Sequence, residues 1–161
     1  GDALPPVGAN PKVASRVGLE LNPVDLSDPD QRDWLRALVW PDQVTRFAQL
    51  EKALAIAARE KPNIRAGDAL ALLPDVLREL PENETVCVYH TFVTYQFSEE
   101  MRQALDDMLI AVSLRRPIWR VSVEGTLSGD APMLLYAYRN GTKEKRTLAM
   151  CSAHGAWLEW Q

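Results

Sequence analysis

The spacing of apolar residues changes rhythm along the chain, and each change marks an element. Val17 to Leu21 alternates weakly and predicts a strand that ends at Asn22-Pro23. Asp28-Pro29-Asp30-Gln31 then reads as a helix start, with Asp28 as N-cap, Pro29 in the first turn and Gln31 three residues beyond the cap. That helix runs through Trp34, Leu35 and Leu38 and stops near Trp40-Pro41. Phe47, Leu50, Leu54 and Ala57 recur at helical spacing and give a second helix one apolar face. Asn63 to Ala66 is a short strand, followed by Gly67-Asp68 and a helix with Leu70, Leu73, Leu77 and Leu80 on one stripe.

The run Val86-Cys87-Val88-Tyr89 is unbroken, which suits a parallel strand covered on both faces. Ser98 caps the next helix, with Glu99 and Glu100 in its first turn and Met101, Leu105, Met108 and Val112 on its apolar face. Arg115-Arg116-Pro117 places cations in its last turn and then a stop. Ile118 to Glu124 is a strand. The stretch from Gly125 to Pro132 is too short for a parallel crossover, so the remaining strands are expected to be antiparallel. These are Met133 to Arg139, Arg146 to Cys151 and Ala156 to Trp160. Asn140-Gly141 is the turn, and the polar Thr142 to Lys145 suggests that its loop is longer. Alternating strands and helices imply an α/β fold with a parallel sheet and antiparallel C-terminal strands.

Composition narrows the class. The 161 residues fit one domain, with residues 1–15 as a loose lead-in and 16–161 as the domain. A net charge of −4 without a basic block argues against nucleic acid and membrane surfaces as partners. No apolar run reaches the length of a membrane span. The first residues, Gly1-Asp2-Ala3-Leu4-Pro5-Pro6, carry neither a basic nor an apolar leader and no initiator Met, which reads as a cut or engineered end. Cys87 and Cys151 make no disulfide framework, and a cytoplasmic location is expected.

Several segments resemble a bacterial family catalogued as domain of unknown function 2332. They are Arg16 to Asp25 (with Asn22-Pro23-Val24-Asp25), Trp34 to Pro41 (with Val39-Trp40-Pro41), Arg65 to Ala69, Val88-Tyr89-His90-Thr91, and His154 to Trp160. The resemblance covers nearly the whole chain from Arg16 onward. It implies a Rossmann-like fold of the S-adenosylmethionine methyltransferase type, seen here as the later part of a longer parent, with the first strand and its glycine loop missing. S-adenosylmethionine is then expected as cofactor of the full-length parent and not of this fragment. The expected partners are the missing N-terminal part of the parent and a second copy paired through the open sheet edge.

In open α/β sheets, ligands lie beyond the carboxyl ends of the strands. Here those ends are Asn22 to Asp25, Gly67-Asp68, His90-Thr91 and Glu124-Gly125. The resemblance implies Glu20 and Asp25 as acids for ribose hydroxyls. It implies Asp68, with Ala69 beside it, for the adenine amino group. Asp68 equally suits the N-cap of the following helix. His90 is the candidate catalytic base, set against a structural histidine satisfied by backbone groups at a strand end. A non-catalytic binding or scaffold module is the alternative function. Cys87-x-x-His90 and Cys151-x-x-His154 have a repeated spacing that invites zinc. Residues three apart on a strand face opposite ways, however, and no metal is expected. Trp34 and Trp119 are expected in the core, and the acid pairs Glu99-Glu100 and Asp106-Asp107 on solvated helix surface.

Overall fold

A computed structural model describes residues 8, 12–125, 129–153 and 155–161. The chain divides into two compact units, one formed by Lys12–Leu73 and one that includes Pro74–Gln161. In the first, β1 (Gly18–Glu20) pairs in parallel with β2 (Ile64–Ala66), Gly18 opposite Ile64 and Glu20 opposite Ala66. Between them lie α1 (Pro29–Ala37) and α2 (Val44–Glu60). The start of α1 follows its local sequence: Asp28 is the N-cap, accepts the Asp30 N–H at 2.9 Å, and has Pro in the first turn. Gln31 donates to Asp28 Oδ2 at 3.1 Å and accepts the Asp25 N–H at 2.8 Å, so it reaches three residues further back than a capping box requires. The unit boundary falls inside α3 (Ala69–Glu79), at Pro74, where the missing N–H removes one helical hydrogen bond.

The second unit is built on a five-stranded sheet in the order β3-β4-β5-β6-β7. β3 (Val86–Thr91) and β4 (Ile118–Val123) are parallel, while β5 (Asp130–Arg139), β6 (Thr142–Ser152) and β7 (Leu158–Trp160) continue as an antiparallel meander. The helix α4 (Glu99–Ser113) packs on β4, β5 and β6, with Leu105 and Leu109 buried against a core that includes Ile118 and Tyr138. Ser98 caps α4 by accepting the Met101 N–H at 3.2 Å. Among the described residues, no helix is long and apolar enough to cross a membrane.

Six expectations need correction. The parallel strands form two sheets rather than one. Cys87 and Tyr89 are exposed while Val86 is buried, so β3 alternates and is not covered on both faces. No long loop follows Asn140-Gly141: Arg139 pairs directly with Thr142. Asn140 at φ 49° and Gly141 at φ 77° form a two-residue turn, whose left-handed backbone matches the twist of the strands. The expected last-turn cations lie beyond the helix, since α4 ends at Ser113. Arg116 is instead buried and donates to the carbonyls of Leu80 and Glu84. Trp34 is 65% exposed, because α1 turns it outward among the described residues.

The acid pair Asp106-Asp107 is divided by its helix. Asp107 accepts from Gln103 on the exposed side, whereas Asp106 faces the sheet. There Tyr138 donates its hydroxyl to Asp106 Oδ1 at 2.5 Å, Arg120 Nη1 lies 3.2 Å from the same oxygen, and Lys143 Nζ lies 2.7 Å from Oδ2. Arg120 also stacks over the Tyr136 ring at 4.1 Å. Burial opposes the charge on Asp106, but Lys143, Tyr138 and Arg120 outweigh it and hold its carboxyl below the usual range. Removing Asp106 leaves the buried guanidinium of Arg120 unpaired. Asp106→Ala is therefore expected to cost about 3–5 kcal/mol, and Tyr138→Phe only about 1 kcal/mol, since Asp106 keeps two other donors. Urea unfolding of both variants checks this, and equal small losses would show that Asp106 does not carry the pairing.

Candidate active site

Alternate residues of β4 present Ile118, Arg120 and Ser122 to one face, all of them buried, and Glu124 continues that row just past the strand. In the parallel register His90 lies opposite Ser122, which puts its side chain on the same face. The two strand ends are tied together there. His90 Nδ1 is 2.6 Å from Glu124 Oε1, and the two side chains are only 11% and 19% exposed.

The Glu124 carboxylate does more than hold an imidazole. Its Oε1 accepts the backbone N–H groups of Val93 at 3.3 Å and Thr94 at 3.2 Å, and its Oε2 that of Tyr95 at 3.0 Å. These donors open a 3₁₀ turn, Thr94–Gln96, whose carbonyls are held from the other side by Arg102 of α4. That guanidinium donates to Thr94 O at 3.0 Å and Tyr95 O at 3.4 Å. The chain enters this turn through Phe92 at φ 53°, a left-handed conformation that an aromatic residue adopts only at a cost. The Phe92 N–H donates to Val123 O at 2.9 Å, and its ring packs against the cluster of Val123, Ala131, Cys151 and Met133. A Cβ at Gly125 would collide with that ring, so glycine is the residue that fits there.

Burial works against the charge on Glu124. The hydrogen bonds from His90 and from the Thr94, Val93 and Tyr95 amides outweigh it and hold the carboxyl below its ordinary value. For His90 the balance falls the other way. Burial lowers its pKa more than Glu124 raises it, and the cation of Arg120 pushes it further down. His90 is therefore neutral at pH 7. An ionised carboxylate only accepts, so the single imidazole hydrogen sits on Nδ1. Nε2 then carries a lone pair. It is shielded from water and has no hydrogen-bond partner among the described residues, a state that costs about 1–3 kcal/mol for a buried polar group.

The residues expected to hold a nucleoside lie in the other unit. Glu20 ends β1 and Asp68 follows β2, and the two strand ends are joined by the Gly67 N–H donating to Glu20 O at 2.9 Å. The exposed Glu20 carboxylate accepts the Asn22 N–H at 3.1 Å. Asp68 accepts the Leu70 and Ala71 N–H groups at 2.7 and 3.2 Å and so caps α3, of which Ala69 is the first residue. Asp25 is folded onto its own turn, accepting the Ser27 hydroxyl at 2.7 Å and the Ser27 N–H at 2.8 Å. The Ser27 hydroxyl, then its amide, holds the Asp25 carboxyl low. The structure thus joins Glu20 to the Asp68 turn, commits Asp25 to Ser27, and builds His90 with Glu124.

Glu124 was legible only as a polar strand end. Its pairing with His90 depends on the parallel register, which sets Thr91 opposite Val123. Cys87 is exposed and His90 mostly buried on alternating faces, so the two do not converge, and His154 lies outside the described residues. Among the described residues no group of three or more His, Cys, Asp or Glu side chains could hold a metal ion.

The model of a family described as "Uncharacterized protein conserved in bacteria (DUF2332)" matches residues 1–160. The chain belongs to this family. No curated protein and no solved structure matches it.

For this DUF2332 chain the His90 environment has a consequence for stability. Its folded pKa lies below the ordinary 6.5, so the native state resists protonation more than the unfolded chain does. The stabilisation is complete above 6.5 and is lost as pH falls toward the folded value. The melting temperature of the wild type is expected to drop between pH 7 and pH 5, and that of His90→Gln to drop less over the same interval. Parallel thermal melts across that window check it, and identical slopes would contradict it.

Proposed function

We propose that this DUF2332 chain is part of a methyltransferase-like domain that binds S-adenosylmethionine in its full-length form. In this reading the first unit recognises the nucleoside at the ends of β1 and β2, and His90 is a candidate proton acceptor in the second unit. The observation that carries the reading is His90 itself: a nearly buried imidazole at the carboxyl end of a parallel strand pair, fixed through Nδ1 and unpartnered at Nε2. The strand order supports it. Among the described residues β1 pairs only with β2 and β3 only with β4, the pattern expected when a sheet of this type lacks its first strand. Two free cysteines suit a cytoplasmic protein.

The residues present fit the nucleoside part of the cofactor. Glu20 and Asp68 are exposed carboxylates at adjacent parallel strand ends, and each can accept from a hydroxyl or amino donor. Asp68 can do so while capping α3. A glycine loop of the kind that wraps the methionine part is not among the described residues. When bound, S-adenosylmethionine supplies a transferable methyl group. The chain's own contribution is then to hold, to exclude water and to move a proton, for which positioning supplies much of the rate.

Calorimetric titration of S-adenosylmethionine into the full-length protein tests this. Binding is expected there, with Asp68→Asn weakening it about tenfold, or about 1.4 kcal/mol. This fragment alone is expected to bind far more weakly. No heat with the full-length protein would favour a non-catalytic scaffold instead.

The same reading covers partners. Among the described residues β3 has one hydrogen-bonding edge without a strand, and such an edge templates pairing with another chain. The expected occupant is a second copy. Sedimentation velocity over a concentration series should show a dimer, and a monomer at every concentration would contradict it.

A further inference from the structure

The second unit holds a cleft of about 300 Å³, lined neither by His90 nor by the carboxylates expected to hold a nucleoside. A volume of this size suits a small ligand. One wall comes from α3, through Pro74 and Leu77, and continues into Leu80. Another is the last turn of α4, through Ala111 and Val112. These residues are apolar, but the rest of the lining is charged: Arg78, Arg115 and Arg116 against Glu82. Arg116 is 8% exposed and donates to the carbonyls of Leu80 and Glu84, which fastens the 80–84 segment to the end of α4. Two carbonyls carry only partial charge, and among the described residues Nε has no partner. The buried cation is therefore incompletely offset and adds a positive potential to the cleft it lines.

Arg115 and Arg78 are exposed and bring guanidinium groups that a ligand can reach. The end of α4 does not need the Arg115 side chain. Ala111 O accepts the Leu114 N–H at 3.4 Å, Val112 O the Arg115 and Arg116 N–H groups at 3.0 and 3.3 Å, and Ser113 O the Asn140 N–H at 3.1 Å, so these carbonyls already have donors. Arg78 pairs with Asp75 at 2.9 Å, but the two side chains are 70% and 61% exposed, and a pair so open to water holds little energy against a competitor. We propose that the cleft binds a small organic monoanion, a carboxylate carried on a short apolar chain. Arg115 and Arg78 hold the carboxylate, for which the planar guanidinium supplies paired donors. The chain lies along Leu77, Leu80 and Val112, out of water. Glu82 limits the charge: an exposed acid in the lining opposes a second negative charge, so a carboxylate is preferred to a phosphate. Nothing in this site depends on S-adenosylmethionine.

Calorimetric titration of the full-length protein with hexanoate tests this at neutral pH and low salt, with hexanol, hexylamine, acetate and inorganic phosphate as comparisons. Hexanoate is expected to bind saturably at one site. Acetate lacks the chain, and hexanol and hexylamine lack the anion, so each is expected to bind about tenfold more weakly or worse, and phosphate likewise. Arg115 and Ala111 are exposed, so Arg115→Gln and Ala111→Trp are expected to keep the wild-type melting temperature. Each should weaken hexanoate about tenfold, the first by removing the charge and the second by filling the cleft. Glu82→Gln should tighten hexanoate and narrow its margin over phosphate. Hexanol binding as tightly as hexanoate would reveal an apolar hollow without an anion site and overturn the proposal. So would the absence of saturable hexanoate binding, an affinity unchanged in both Arg115→Gln and Ala111→Trp, or phosphate binding more tightly than hexanoate.

Discussion

A buried cation in the middle of a sheet is the constraint on which the second unit depends. Arg120 sits at the centre of β4, the strand that joins the parallel pair to the antiparallel meander. A guanidinium so placed must be paired, and its pair is Asp106 on α4. That requirement fixes which side of α4 faces the sheet. Tyr138 from β5 and Lys143 from β6 converge on the same carboxylate, so one acid ties a helix to three consecutive strands. The tip of the β5–β6 hairpin is fixed at the C-terminal end of α4, where the Asn140 N–H donates to Ser113 O and the Gly141 N–H to Ser113 Oγ.

The same constraint reaches the candidate site through the period of the strand. Side chains alternate, so the face that buries Arg120 under α4 also receives Ser122 and Glu124. The parallel register then places His90 opposite Ser122. A slip of one residue would move Arg120 off its acid and Glu124 off its histidine together. The electrostatics are linked as well. Arg120 lowers the pKa of His90 and is itself paired with Asp106. With an apolar residue at position 120 the histidine would be more easily protonated.

What the sequence made legible is what is decided locally. Asp28 and Ser98 cap their helices because the donor lies two or three residues away, and Asn140-Gly141 turns the chain because both residues tolerate positive φ. The antiparallel assignment of the last strands followed from connection length, and the parallel pairing of β3 with β4 from the alternation of strand and helix. Asp106 escaped because it looks like one of a pair of surface acids. One residue along a helix is a rotation of about 100°, enough to put Asp106 against the sheet and Asp107 in solvent. Glu124 escaped for a different reason. Its partner stands 34 residues away, and only the register of two strands brings them together. Trp34 was misjudged because its spacing showed a periodic helix, while the side that the helix presents depends on packing that no local pattern encodes.

The backbone around Phe92 shows that the geometry at His90 is not an accident of two strand ends meeting. A left-handed aromatic residue costs about 1–3 kcal/mol, and glycine at 92 would remove that strain. Glycine would also remove the ring that fills the cluster with Val123, Ala131, Cys151 and Met133. The ring lies against Gly125, one residue beyond Glu124, where a side chain would collide with it. The φ of Phe92 turns the following amides of Val93, Thr94 and Tyr95 toward one carboxylate, and the Phe92 N–H closes onto β4 through Val123. Packing on one face of the sheet thus holds a strained residue that organises the hydrogen bonds on the other. Helix capping or hairpin closure could have ended β3 without any strain. The chain instead keeps a costly conformation at the strand end that carries His90.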